Sequence, residues 1–569
     1  MASLDEELRL MDDPETHASA RARRLRNMTI TACRLPVELL TTIFAFVKDD
    51  WRPSESLHER RYDLRWIQVT YVCSHWRSIA LSKPTLWSSF DGYQIPPQFS
   101  ALILARSQSL SIDLSWNSEY LDYEVCSKTL GDMEGWILSE PILQRTRKLA
   151  VHIADFDELD LIQDWSAANI PLLEELRLEL SREIYDLNPV EWQNLLLPQL
   201  FLVTDGEVPP ALSHISLCSI MPEWGSPLLS QTNLTHLSLA FSSDLLPIFQ
   251  RIPTLQQFID ILARMTGLRS LHLDAFFPED QNNNNIQLRL PDCFEQLNFV
   301  VPERHENDNV AMNCLFLYNH LTIPSTAQQS LHLGPSEFPL NAMNRAMPAY
   351  TVRRLFTVSD GDSERTRMTS LELHGLSIVA RYTTTTALGA ATFLSSREFA
   401  AHEASGLYGQ MSESVYDTPL FTSGNSSMLA SVESISFHYM SSVFGAISPD
   451  PTWLRREILY TLKDATKTQR VTIPYNFSHA LLQLLALRDS DGLTLAFWPA
   501  LRTVTFEIRH VPGLWGLGSG TDCSEEDVAN MLRARRDCGA PIDRFRVEKE
   551  LRTKDIWARV EDLVEIEFV

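Results

Sequence analysis

Seven of the chain's 15 histidines fall where a strand would place them: His152, His214, His236, His272, His332, His374 and His438. Each stands beside or between alternating leucines, as in LSHISLC, LTHLSLAF and LRSLHLDAF. Imidazole titrates nearest neutrality and is the commonest metal ligand. Such a row therefore offers metal chemistry, a pH-sensitive recognition face, or simply the polar residues that strands set opposite their apolar ones. Metal binding needs donors that converge within a few ångströms, and stacked repeats hold these residues apart, so a polar face is expected and a metal site is not. Other chemistry finds less support. No Ser stands in a G-x-S-x-G elbow and no H-E-x-x-H occurs. GLWGLGSGTD, from Gly513, lacks the lysine of a phosphate loop and the G-x-G-x-x-G spacing, and reads as a surface loop. Cys33, Cys73, Cys126, Cys218, Cys293, Cys314, Cys523 and Cys538 contain no C-x-x-C pair. They support neither a zinc site nor a disulfide framework and read as thiols buried like small apolar groups. No catalytic residue, cofactor or metal is expected, and the chain reads as a non-enzyme. An enzyme would have to assemble its site in the irregular middle, near Tyr382–Ser427.

The bulk composition agrees. Over 569 residues, 44% are hydrophobic and 21% charged, as in a folded protein, and the net charge is −24. That balance argues against nucleic acid as the main partner, since phosphate binding rests on Lys and Arg. RARRLR (Arg21 to Arg26) is the one dense basic run; a nuclear-import signal or a basic membrane-surface contact is one reading, and a solvated face or tail the favoured one. No apolar stretch approaches the roughly 20 residues that span a bilayer, and MASLDEELRLMDDPE is acidic rather than a secretory leader. The expected partners exclude membrane and nucleic acid, and the expected location is cytoplasmic, nuclear or both.

The elements that carry the histidines are short alternations: LSIDLSW, LAVHI, LEELRLEL, LSHISLC, LTHLSLAF, LRSLHLDAF, SLHLGP, TSLELHG, VESISFHY and LRTVTFEI. Alternation over four to six residues predicts strands, and L-x-x-L-x-L recurring is the leucine-rich-repeat pattern. The intervals run from about 22 to about 40 residues, where regular repeats run about 20–29. Helical pieces lie between them, clearest at Leu245 to Gly267, and DCSEEDVANMLRARRDCG predicts a helix capped by Ser524. One strand and one helix per unit would stack into a curved solenoid. The expected fold is an α+β or α/β repeat: a leucine-rich-repeat-like domain over 100–569, with irregular insertions near 280–310 and 382–430, closed by two last alternations in GAPIDRFRVEKE and LVEIEFV.

Ahead of it, residues 1–28 read as a tail or helix and 29–92 as a small helical module. Leu35-Pro36 opens the first helix. Leu39, Ile43 and Val47, with Leu40, Phe44 and Phe46 beside them, make an apolar stripe too broad for a solvated helix; Asp49-Asp50 end it. Val69, Val72, Cys73, Trp76 and Ile79 predict a second helix, stopped at Lys83-Pro84. A unit this small is marginal alone and needs a partner for its remaining apolar surface.

These residues resemble the F-box, in the form common among fungal F-box-like proteins with degenerate leucine-rich repeats. Leu35, Pro36, Glu38, Leu39, Leu40, Ile43 and Phe44 match its first half. Val72, Cys73, Trp76, Arg77, Ile79, Ala80, Pro84, Leu86 and Trp87 match its second. The resemblance implies a three-helix module that docks a Skp-type adaptor and, through it, a cullin-based ubiquitin ligase, while the repeat domain holds an unknown protein substrate. It implies adaptor binding by Leu35, Pro36, Leu39, Ile43, Phe44, Val72, Trp76 and Trp87, the two tryptophans by packing the module. The other expectation is a scaffold of the same build that acts outside any ligase. One departure stands out: the connection from Lys48 to Trp66 is long and charged for a compact F-box and reads as a solvated loop.

Overall fold

The computed structural model describes residues 22–23, 25–27, 29–51, 54–56, 61–63, 65–91, 100–117, 140–153, 170–180, 209–220, 224–225, 227–230, 232–241, 252–279, 286–301, 309–333, 355, 366–374, 377–385, 391–401, 429–438, 462–475, 478–489, 491–508 and 524–569. The protein is mixed helix and strand with a large parallel sheet, and it divides into two compact units, Met1–Ser238 and Leu239–Val569. The division does not coincide with the change of texture near residue 92.

The first unit opens with helix α1 (Val37–Asp50), a hairpin of β1 (Ser54–Ser56) and β2 (Arg61–Asp63), a 3-10 helix (Arg65–Tyr71) and α2 (Ser74–Ser82). Pro36 is the N-cap of α1, one residue earlier than the helical position expected for it, and Glu38 and Lys48 complement the helix dipole at its two ends. The expected second helix is in fact two pieces. Cys73 is fully extended (φ −160°, ψ 166°) and separates the 3-10 helix from α2, its Sγ accepting from the Trp76 N–H at 3.4 Å. The Lys48–Trp66 connection is likewise more than a loop: it contains the antiparallel hairpin, and the Trp66 N–H donates to the Trp51 carbonyl at 3.1 Å, which ties its two ends together.

Pro84 then starts a 3-10 turn (Pro84–Leu86) that leads into β3 (Ser89–Asp91). After α3 (Ser100–Ser107) come β4 (Ile112–Asn117), α4 (Glu140–Leu143), β5 (Thr146–Ile153), β6 (Glu175–Leu180) and β7 (His214–Cys218). Strands β3 to β7 pair in parallel, each with the next in sequence. Registration lines up Phe90, Leu114, Leu149, Leu176 and Ile215 as one buried row. β8 (His236–Ala240) follows, and the boundary between the units falls within it.

The second unit begins with α5 (Leu255–Arg264), where the sequence pattern predicted a helix over Leu245 to Gly267; 242–251 lie outside the described residues. Thr254 fixes its start through a complete capping box with Gln257. Then come β9 (Ser270–Asp274), β10 (Leu288–Arg289), β11 (Gln296–Val301), α6 (Asn309–His320), β12 (Leu321–Thr322), β13 (Gln328–Leu333), β14 (Thr366–His374), β15 (Ser377–Thr385), β16 (Ala391–Ala401), β17 (Ser434–His438) and β18 (Arg470–Pro474). α7 (Ser478–Leu485), β19 (Thr503–Glu507), α8 (Glu525–Asp537), β20 (Arg544–Val547), α9 (Ile556–Val560) and β21 (Glu565–Phe568) complete it. By their registers the main-sheet strands run β9, β11, β13, β16, β15, β14, β17, β18, β19, β20, β21, all parallel except β15. β10 and β12 form a separate parallel pair.

Two expected insertions are therefore partly ordinary sheet. β11 lies within 280–310, and the end of β15 and all of β16 lie within 382–430, as antiparallel neighbours carrying Thr and Phe residues that suit a pleated surface. Residues 280–285, 302–308 and 402–428, and the glycine-rich 513–522, lie outside the described residues. α8 starts at Ser524 as predicted, with Asp527 completing the cap, and Gly539 takes φ +70° just beyond its end.

Candidate functional site

Helix α1 is apolar on two sides. Leu40 and Phe44 point inward and are fully buried, packing with Trp66, Ile67, Val69, Ile79, Ala80, Leu86 and Trp87 into one small core. The Phe44 and Trp76 rings meet edge-on at 5.2 Å, and Trp66 and Trp87 lie 5.1 Å apart. Each anchoring indole is satisfied: Trp87 Nε1–H donates to the Ala80 carbonyl (2.8 Å) and Trp76 Nε1–H to the Ala32 carbonyl (3.2 Å). Leu39, Ile43 and Phe46, spaced four and three apart, form the second stripe and stay 53%, 38% and 66% exposed. Pro36 and Val72 are exposed too, and Leu35 and Trp76 are half-buried. Of the eight residues expected to bind an adaptor, Leu35, Pro36, Leu39, Ile43, Val72 and Trp76 thus offer surface. Phe44 (0% exposed) and Trp87 (2%) lie inside, in the core beneath that surface.

Sequence reasoning placed Phe46 in the stripe without singling it out, and it missed Trp51 and Tyr71, which are also exposed. It also missed that Cys33 and Cys73 meet: desolvation and a hydrogen bond between the two thiols raise the pKa of Cys33. The general expectation of buried thiols fails. Among the described cysteines only Cys314 is buried; Cys33, Cys73, Cys218 and Cys538 are partly exposed and Cys293 is exposed.

The histidines whose side chains are described sit where strand parity put them. His152, His214, His236, His272 and His332 lie on the half-buried polar face, alternating with buried residues. The backbones of His374 and His438 are paired in register. His214 and His236 stack, with ring centres 4.0 Å apart and planes 12° apart, and their Nδ1 atoms each lie 2.8 Å from the hydroxyl of the preceding residue, Ser213 and Thr235. His272 Nδ1 meets Asn298 Nδ2 at 2.8 Å; burial lowers the pKa of His272 against the opposing pull of Asp274. Among the described residues no group of three or more His, Cys, Asp or Glu side chains is arranged to hold a metal ion.

A serine, a histidine and an aspartate do come together in the second unit. Ser524 Oγ and His479 Nδ1 both bond the same oxygen of Asp527, at 2.6 and 2.8 Å, and His479 Nε2 meets Gln483. The order is wrong for catalysis, because the imidazole must bond the serine hydroxyl to take its proton. Here the aspartate stands between them. The set is a helix cap tied to α7: burial, which would raise the Asp527 pKa, is outweighed by the hydrogen bonds from Ser524 and His479, and the net shift is downward.

On the first unit's polar face the charges are matched. Arg147 holds Asp113 with two nitrogens (2.9–3.1 Å), Lys148 bonds Glu175, and Arg177 bonds Glu179 at 3.1 Å. Among the described residues no helix is long and apolar enough to cross a membrane. No protein-family model matches the chain, and no curated protein matches its sequence. What the protein does is therefore to be read from its own surfaces.

Proposed function

We propose that this chain is the substrate-recognition subunit of a Skp–cullin–F-box type ubiquitin ligase. The observation that carries the reading is the outer stripe of α1: Leu39, Ile43 and Phe46 in water, beside exposed Pro36 and Val72, over a core that Leu40, Phe44 and Trp87 already fill. An apolar patch on so small a helical unit marks a docking site, and it coincides with the residues that resemble an F-box. The succession of parallel strands, burying apolar residues such as Leu176, Ile215, Leu271 and Val471 inward and turning polar residues outward, supports a leucine-rich-repeat-like solenoid that holds the target protein. The chain itself performs no chemistry in this account. It raises the concentration of target near the ligase by tethering both, in the cytoplasm, the nucleus or both.

The β1–β2 hairpin favours one alternative, a scaffold of the same build outside any ligase. It interrupts the module between α1 and α2 and is pinned beside exposed Trp51. Recovery of the full chain from its own cells separates the two. The ligase reading expects a cullin to co-purify with the wild-type chain and not with a Leu39→Asp/Ile43→Asp variant. A cullin absent from both leaves the scaffold.

A further inference from the structure

We propose that the outward face of β17, β18, β19 and β20 binds an extended anionic peptide segment, with Arg470 as its anchor. Parallel registration sets Ser434, Arg470, Thr503 and Arg544 in one row across these four strands, and Ser436, Thr472, Thr505 and Arg546 in the next. These residues are half-buried or exposed and alternate with buried Ile435, Val471, Val504 and Phe545. At one end of the face the charges are matched: Arg544 meets Glu565 at 3.2 Å and Glu567 at 3.6 Å, and Arg546 meets Glu567 at 3.3 Å. Arg470 differs. Among the described residues no hydrogen bond or ion pair engages its guanidinium, and none engages the hydroxyls of Ser434, Ser436, Thr472, Thr503 or Thr505.

An unpaired planar fork of donors ringed by hydroxyls suits one kind of ligand. A guanidinium binds a carboxylate or phosphate with two parallel hydrogen bonds, and neighbouring hydroxyls can donate to the remaining oxygens. Parallel strands lie about 4.8 Å apart, so four of them span roughly 14 Å, the length of about four residues of extended chain. The face is thus matched to a peptide laid across the strands. The chain's overall −24 does not forbid this. At physiological salt the Debye length is about 8 Å, and Glu565 and Glu567 lie three strands away from Arg470. Among the described residues of the first unit's face, Arg147, Lys148 and Arg177 are already paired with carboxylates. This proposal does not rest on the adaptor reading, since the face belongs to a different unit from α1.

The test uses the full chain and fluorescence anisotropy with labelled octapeptides of alternating Ser and Glu, Ser and Gln, and phosphoserine and Gln. The expected result is binding of the anionic peptides about tenfold or more tighter than the Ser/Gln peptide. Arg470→Gln removes that difference, Arg470→Lys restores part of it, and Thr503→Val weakens binding by a few-fold. Arg559→Gln, at a residue already engaged by Glu525, changes nothing. Tighter binding of both anionic peptides than of the Ser/Gln peptide supports the proposal, and the stronger of the two identifies the preferred anion. Binding of neither anionic peptide above the Ser/Gln peptide, or unchanged affinity in a folded Arg470→Gln variant, overturns it.

Discussion

Helices α1 and α5 are made of similar residues and end in opposite situations. In α5, Leu255, Phe258, Ile259, Ile261 and Leu262 are each at most 5% exposed, and a complete capping box fixes the first turn. In α1, Leu40 and Phe44 are fully buried while Leu39, Ile43 and Phe46 stay in water, and no side chain caps its start. Burial stabilises by about 25 cal/mol per Å² of apolar surface, so leaving one stripe uncovered forgoes several kcal/mol on that scale. The difference comes from what surrounds each helix. α5 belongs to a unit with enough sheet to receive a broad apolar face. Among the described residues α1 has a 3-10 helix, α2 and a short turn beside it, and these cover one side of it. That uncovered second stripe is the surface on which the proposed adaptor contact rests.

The contrast breaks or sharpens under substitution. The largest effect is expected in α5: Phe258→Ala should cost about 3–5 kcal/mol by urea unfolding, through lost burial and a cavity. Phe46→Ala in α1 should cost less than about 0.5 kcal/mol, as exposed positions do. Comparable losses at the two sites would mean that the α1 stripe is already covered within the chain.

Next in size is Arg535 of α8, a charge that the interior accepts. It is fully buried, and it donates to the carbonyls of Leu485 (3.3 Å), Phe497 (3.3 Å) and Trp498 (2.6 Å). It thereby closes the C-terminal end of α7 and the loop after it. Burial, with nearby Arg502 adding to it, lowers its pKa to about 10, so it remains charged at neutral pH. Arg535→Leu keeps an apolar stem but leaves three carbonyls unanswered, and should cost about 2–4 kcal/mol, read as a lower urea midpoint. An unchanged midpoint would show that water or a neighbouring group answers those carbonyls equally well.

The smallest effect belongs to half-buried His272. Burial holds its folded pKa below the ordinary 6.5, so the folded state favours the neutral ring. Between the folded value and 6.5 the unfolded chain binds more protons, and stability rises with pH there. Its contribution is therefore complete above about pH 6.5, is lost as pH falls through the window, and is constant below it. His272→Gln should flatten the dependence of the urea midpoint on pH between 5 and 7. An unaltered slope would place the ring's proton balance elsewhere.

Much of this was legible in the sequence, for a physical reason. Every strand proposed from leucine alternation is a strand, because a period of two with buried leucines has few other ways to satisfy itself. β11 and β18 escaped because QLNFVV and RVTIP lack the repeated leucines. β15 and β16 escaped because their Thr-rich stretch reads as loop when only leucines are counted. The site was half legible. Periodicity puts Leu39 and Ile43 beside Leu40 and Phe44 on the helix surface, and nothing local says which pair turns inward. That choice is made by Trp66, Trp76 and Trp87, which arrive from the far side of the hairpin. The link from His479 to Asp527 joins residues 48 positions apart and has no spacing signature. The unpaired state of Arg470 depends on which charges fall in its register, which only the strand order reveals.

The central claim, that the outer stripe of α1 is an adaptor handle, is tested most directly by calorimetric titration of the full chain with the purified Skp-type adaptor of the same cell. Wild type and a Pro36→Ala/Ile43→Asp variant are compared at equal urea midpoints. The account predicts binding by wild type and a loss of about thirtyfold or more in the variant, the scale of an interface hot spot. Equal binding by the two, or none by a folded wild-type chain, would contradict it.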